Sequence, residues 1–171
     1  MILTHNFSDL LETLCRGDDL TETEAGVLFE AVFAGEVDAV RLGAILAALK
    51  AKGESSAEIR GAAKAMLAAA AAFPRPADLE IGEIVGTGGD GARTINISTT
   101  AALAAAGAGL FVAKHGNRAV SSLSGASDVL TALGVEVAAT PEQAAQTLVE
   151  TGVTFCFAPV YHPAMKFAAP V

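Results

Sequence analysis

Positive charge is scarce in this chain. Its 171 residues carry 11 Lys and Arg against 19 Asp and Glu, a formal net charge of −8. A general nucleic-acid surface or an anionic-membrane surface needs clustered cations, so neither partner is expected. Cysteine is rarer still. Cys15 and Cys156 stand far apart in apolar-patterned segments, and both are read as buried free thiols, which suits a reducing cytosol. Long apolar runs are missing: the longest nearly apolar one, Ala101 to Ala113, falls short of the ~20 residues a membrane span needs. The start, MILTHNFSDLLETL, has acids where a secretory signal would be basic, and it has no apolar core. These absences predict a cytoplasmic protein. No Ser-His-Asp or Cys-His arrangement is evident either.

What is present is apolar residue in quantity. Hydrophobic residues make up 52% of the chain, enough for one domain or two small ones. The first 72 residues read as helical. TETE at Thr21–Glu24 and SSAE at Ser55–Glu58 fit the capping box, a hydroxyl answered three positions later by a glutamate. Asp38 is placed to cap AVRLGAILAALK, where Val40, Leu42, Ile45, Leu46 and Leu49 give a broad apolar face. With a first helix near Phe7–Arg16, four short helices are expected. The segment Ala57–Ala72 holds nine alanines, whose small side chains allow close helix–helix approach, with Ile59, Met66 and Leu67 supplying its apolar period. FPRPAD, Phe73 to Asp78, is the best linker.

Beyond it the period changes. GEIVG, LFVAK, GVEVA and VTFCFAP read as strands, and Ser98–Gly107, Ser127–Leu133 and Pro141–Thr151 as helices between them. Thr140, Pro141 and Gln143 open the last helix as cap, first-turn proline and box partner. Strand–helix alternation predicts a parallel sheet. The expected class is α/β: a helical domain over 1–72, a linker over 73–80 and a parallel-sheet domain over 81–171.

Two loops stand out. GTGGDGARTINIS, from Gly86, places four glycines in six residues, which frees backbone N–H groups to turn toward an anion. Ser98 and Thr99 then begin a helix, whose amino end carries about half a unit of positive charge. The stretch matches neither GxxxxGK[ST] nor GxGxxG, so no P-loop or dinucleotide fingerprint is supported; an ordinary glycine-rich turn is the alternative. KHGNRAVSSLSG, from Lys114, packs a point cation, a titratable ring, an amide and a planar fork into five residues, with Ser121, Ser122 and Ser124 behind. Its alternative is a solvated basic turn. Residues 81–171 contain only four cations, Arg93, Lys114, Arg118 and Lys166, and three of them lie in or between these loops. On a parallel sheet both loops, and APVYHP, would gather at the carboxyl edge, where open α/β sheets bind ligands. The pair suits a ligand with two separated phosphate groups. Asp90 would either touch ribose hydroxyls or tether the glycine loop.

GTGGDGARTINIST, VAKHGNRAVSSLSGASDVL and FAPVYHPAMKFAAPV together closely resemble the anthranilate phosphoribosyltransferases of tryptophan biosynthesis. The resemblance covers essentially the whole chain, including the helical start. Pyrimidine nucleoside phosphorylases share the general architecture but lack KHGNR. The resemblance implies that Gly86, Gly89, Asp90, Thr94, Asn96, Ile97, Ser98 and Thr99 line a site for phosphoribosyl pyrophosphate (PRPP). It implies that Lys114, His115, Gly116, Asn117, Arg118, Ala119, Val120, Ser121 and Ser122 close over the same ligand, with Ala126 nearby. Gly86 and Asn117 would also face anthranilate, and Ser98 would ligate Mg²⁺, of which the complete enzyme is expected to hold two ions. No residue is assigned as acid or base. His115 is a candidate proton shuttle with a structural role as alternative, and His162 either borders the anthranilate entrance or merely starts a helix. Leu123 and Ala126 stand where relatives often carry lysine and serine. A homodimer through the helical domain is implied. Relatives run on for about as many residues again, so the chain is expected to be a C-terminally incomplete member, inactive alone, with a non-catalytic PRPP-binding or dimerisation fragment as the second reading.

Overall fold

The computed structural model describes residues 7–86, 95–118 and 125–171. The chain divides into two compact units, one reaching from the start to Ala70 and taking in His162–Val171, the other Ala71–Tyr161.

The first unit contains the four expected helices, α1 (Phe7–Cys15), α2 (Glu22–Ala34), α3 (Ala39–Lys52) and α4 (Ser56–Ala68). Both capping boxes form: Thr21 and Glu24 open α2, and Ser55 and Glu58 open α4. The Asp38 carboxylate accepts from Arg41 N at 3.0 Å to cap α3. Each such cap contributes about 1 kcal/mol. Leu10, Leu14, Leu20, Leu28, Ile45 and Leu49 form one buried cluster, and Val32, Phe33, Val37, Leu42 and Ala65 belong to another.

The apolar period of α4 does not mark its buried face. Its buried residues are Glu58, Gly61 and Ala65, while Ile59 and Leu67 are exposed. Gly61 explains the inversion. A Cβ built there would collide with the Glu22 carbonyl and lie 2.7 Å from Gly26 N and 2.8 Å from Ala25 Cβ. The axes of α2 and α4 come together through small residues, and Ile59 and Leu67 turn away, while Met66 packs against the second cluster. Val40 of α3 is likewise exposed, because Leu42, Ile45 and Leu49 set that helix's inner stripe two residues out of phase with it. Cys15, expected to be buried, is exposed at the last residue of α1.

A polar pin also lies inside this unit. Glu58 is 2% exposed, and its carboxylate accepts from Leu20 N at 2.9 Å, Ser55 N at 2.7 Å and Lys52 Nζ at 3.0 Å. Burial pushes this carboxyl up, but the two amides and the ammonium outweigh it and hold it below the ordinary value. Lys52 donates onward to Asp19 at 2.6 Å and to Gly53 O at 2.8 Å.

The last ten residues pack on the helices. A 3-10 turn, Pro163–Phe167, lays Ala164 and Ala168 against the second cluster. Phe167 lies over Gly35, where a Cβ would come within 2.7 Å of its ring and where φ is 78°. Only glycine satisfies both conditions.

The second unit holds a three-stranded sheet in the order β1 (Ile81–Gly82), β2 (Phe111–Gly116), β3 (Val153–Phe157), parallel throughout. Helix α5 (Ile97–Gly107) joins β1 to β2. Helices α6 (Ala126–Ala132) and α7 (Pro141–Thr151) join β2 to β3, and a helical turn, α8 (Ala158–Tyr161), follows. Thr140 caps α7 with Gln143 as reciprocal partner. GVEVA is not a strand. Gly134 turns at φ 83°, Val135 N bonds back to Leu130 O, and Glu136 accepts from Ala138 N. Local bonds replace a ladder there, so the loop expected after a fourth strand follows β3. Cys156 is buried as expected, and burial pushes its thiol up.

Candidate functional site

Parallel strands bring the segments after β1, β2 and β3 to one edge. The first segment leaves the sheet early. GEIVG was expected to be a strand, but the β1–β2 ladder has only two rungs, Ile81 with Phe111 and Gly82 with Val112. By Gly86 the chain has reached α5: a Cβ built on Gly86 would lie 3.8 Å from Ser98 Oγ. Ser98 sits in the first turn of α5, half-buried, beside the buried Thr99. Asn96 precedes the helix without capping it through its side chain. Ile97 N donates to Ile95 O at 2.7 Å, and the Ser98 and Thr99 amides stand next at the positive end of the helix dipole.

β2 delivers the second segment. Val112 and Lys114 alternate onto its buried face, and Lys114 is only 5% exposed. Its ammonium donates to Ile84 O at 3.2 Å and His115 O at 3.0 Å. Burial pushes its pKa below the ordinary lysine value, against a smaller upward pull from Glu83. An ammonium has three donors, so two are engaged by backbone. Gly116 ends the strand where a Cβ would lie 2.7 Å from the Phe155 ring and 3.2 Å from Ala126 Cβ. Asn117 Oδ1 accepts from Arg118 N at 2.8 Å, and Asn117 O accepts from Ser127 N at 3.4 Å. The Arg118 guanidinium lies over the Phe157 ring, 5.8 Å from its centroid, so β3 steadies a cation from the loop after β2.

The structure thus joins Gly86 to Ser98, Lys114 to the segment leading to Gly86, Gly116 to Ala126, and Asn117 to the start of α6. Thr99 and Lys114 also face one cavity of about 250 Å³, walled mainly by apolar groups of α5, α6, α7 and β3 such as Leu103, Leu130 and Phe155. Gly89, Asp90, Thr94, Ala119, Val120, Ser121 and Ser122 lie outside the described residues, as does Leu123. His162 precedes the 3-10 turn in the helical unit. Among the described residues no three His, Cys, Asp or Glu side chains gather to hold a metal; Ser98, the ligand that the resemblance implies, offers one neutral hydroxyl.

Two residues escaped the sequence reading. Ser127 is buried, and its hydroxyl finds no hydrogen-bond partner among the described residues. Glu83 accepts from His115 N at 3.2 Å where the main-chain ladder has stopped. A charged residue inside an apolar run was the available signal for Glu83.

Two family models cover this architecture. The helical bundle domain of a glycosyl transferase family matches residues 8–70, and the a/b domain of that family matches residues 79–171. The chain belongs to this glycosyl transferase family. Within it, the chain is 53% identical over 171 residues to an anthranilate phosphoribosyltransferase of Photobacterium profundum, covering 100% of this chain and 50% of that protein. The crystal structure of the Thermus thermophilus anthranilate phosphoribosyltransferase superposes with a TM-score of 0.84 at 46% identity, over 95% of this chain and 49% of that one. The Saccharomyces cerevisiae enzyme in complex with PRPP and Mg also gives 0.84, at 27% identity, over 96% and 49%. The chain therefore spans about half the length of the curated relatives it matches.

Proposed function

We propose that this chain is the PRPP-binding part of an anthranilate phosphoribosyltransferase acting in the cytoplasm, at the second step from chorismate in tryptophan biosynthesis. The observation that carries the reading is the return of Gly86 to Ser98 at the uncapped start of α5, beside the strand that delivers Lys114 and Arg118. The likeness to a yeast relative in complex with PRPP and Mg supports it.

In the reaction, the anthranilate nitrogen forms a bond to C1′ of PRPP as the C1′–O bond to pyrophosphate breaks, and the amine then loses a proton. An aromatic amine is neutral near pH 7, so no strong base or covalent nucleophile is required. The protein's task is to align two substrates and stabilise the leaving charge. First-turn amides of α5, with Asn96, Ile97, Ser98 and Thr99, bind phosphate oxygens. Gly86, lacking a side chain, lets substrate approach the backbone, and with Asn117 it faces anthranilate. Arg118 supplies a fixed fork, and the remaining Lys114 donor reaches the same anion. Gly89, Asp90, Thr94, the run Ala119 to Ser122 and Ala126 complete the proposed lining. His115 is a candidate to receive the amine proton. The fit of the site to Mg²⁺ is partial, one neutral hydroxyl from Ser98 with no carboxylate cluster among the described residues; when bound, the ion neutralises pyrophosphate charge. The exposed Val40, Ile59 and Leu67 support a homodimer through the helical unit.

The test is calorimetry of PRPP with Mg²⁺ on the chain, joined to a fluorescence assay of anthranilate consumption by a polypeptide carrying it. Arg118→Ala should weaken PRPP binding by about 1.5–3 kcal/mol, the range for charge-assisted hydrogen bonds. Unchanged affinity would remove this loop from the site. Binding without turnover would instead support the second reading, a PRPP-binding or dimerisation module.

A further inference from the structure

The strands β1 and β2 part company after two rungs, and side chains take over the pairing. At Gly82 the main-chain ladder ends. One residue later, the Glu83 carboxylate accepts from His115 N at 3.2 Å, filling the place of an absent carbonyl. One residue further, Ile84 O accepts from Lys114 Nζ at 3.2 Å, and the same ammonium holds His115 O at 3.0 Å. His115 thus has its N–H and its carbonyl tied by two side chains of opposite charge. A side-chain rung is longer than a main-chain rung, so it keeps two diverging segments connected while leaving space between them. Gly86 lies two residues beyond one end of this brace, and Asn117 and Arg118 lie two and three residues beyond the other.

We propose that Glu83 is a positioning residue: braced with Lys114, it sets the separation of Gly86 from Asn117 and Arg118, the described ends of the two segments proposed to bind the phosphates of the substrate. This rests on the PRPP reading of the edge. The role is distinguishable from a direct electrostatic one by its sign. Removing a carboxylate from beside an anion site strengthens anion binding if charge alone acts. Removing a brace weakens it, because the two strand ends then have to be fixed in place at the moment of binding.

The experiment compares the unaltered chain with Glu83→Ala and Glu83→Gln, each checked for native helical circular dichroism. Amide exchange at His115 reads the brace itself without any ligand, and calorimetry with inorganic pyrophosphate in Mg²⁺ buffer reads its consequence. Glu83→Gln retains an acceptor oxygen, so His115 should stay protected and pyrophosphate affinity should stay within about twofold. In Glu83→Ala the His115 amide should exchange about tenfold faster, and pyrophosphate should bind roughly three- to tenfold more weakly. Equal or tighter binding by Glu83→Ala overturns the proposal, as does unchanged exchange at His115. If exchange responds as expected but the unaltered chain binds neither pyrophosphate nor PRPP, the PRPP reading has failed, and the positioning role falls with it.

Discussion

Replacing Glu58 by alanine should be among the most damaging single changes to the helical unit, although Glu58 looks like an ordinary helix-start acid. Its carboxylate is the shared acceptor for three donors drawn from the α1–α2 connection, the end of α3 and the start of α4. In Glu58→Ala, Leu20 N loses its partner in a buried setting, at about 1–3 kcal/mol. Loss of the reciprocal cap at Ser55 adds about 1 kcal/mol. Lys52 keeps Asp19 and Gly53 O, so its charge is not abandoned, which places the total near the lower end of the ~3–5 kcal/mol seen when a buried pair loses one member. The expected loss is about 3 kcal/mol. Glu58→Gln keeps an acceptor but loses the ammonium contact, and about half that loss is expected. Urea unfolding followed by helical circular dichroism measures both, with an unchanged slope confirming that stability alone has moved. A loss below about 0.5 kcal/mol in Glu58→Ala, the usual range for an exposed surface change, would refute the account of the pin.

Gly61→Ala should destabilise the same unit by about 1–3 kcal/mol, as the new methyl forces α2 and α4 apart, and the same unfolding assay reads it. Acid should also weaken this unit. Hydrogen bonds from Arg60 and Lys64 hold the Glu22 carboxyl at about 2 against an ordinary 4.5, and Glu58 is held low as well. A depressed folded-state value means that the stability is fully present above about 4.5 and is lost as pH falls toward about 2. Glu22→Gln should flatten a plot of unfolding midpoint against pH in that window, and an unchanged plot would exclude Glu22 as its source. At the sheet edge, Mg²⁺ should bind only when PRPP or pyrophosphate is present, because Ser98 offers one neutral oxygen. Tight Mg²⁺ binding to the ligand-free chain, seen by calorimetry, would contradict this.

Much of the fold was legible because its signals are local. Thr21, Asp38, Ser55 and Thr140 cap the helices that their spacing announced, since a cap depends on only four consecutive residues. The failures share a different cause. Ile59 and Leu67 looked like a core stripe, yet the α2–α4 contact is made through Gly61 and Ala65, and no local rule says which face a partner helix will approach. GVEVA has strand composition, but a strand needs a neighbour to pair with, and Gly134 turns the chain into bonds with Leu130 instead. The tail after Tyr161 continues in sequence from the sheet unit, while its Phe167 packs over Gly35, well over a hundred positions earlier. At the sheet edge, the glycine run and KHGNR stood out by composition. They did not reveal that Lys114 faces inward and spends two donors on backbone, because strand alternation decides that and the ladder's register fixes it.

That inward lysine changes how the scarce positive charge of the sheet unit is to be understood. Lys114 is buried against carbonyls, and Arg118 lies over Phe157, so one cation fixes the frame and the other stands on a ring. Lys166, which by sequence belonged to the same half, lies over Phe167 in the helical unit. The described part of the edge therefore offers few mobile cations to a ligand that carries several negative charges. What it offers is oriented: first-turn amides of α5, the Ser98 hydroxyl and a braced pair of strand ends. Oriented dipoles cost little reorganisation as charge shifts from a breaking bond to a leaving group, whereas flexible surface lysines would have to be ordered each time. On the proposed reading, an acidic chain with a net charge of −8 would hold an anion at such a place through fixed geometry rather than accumulated charge.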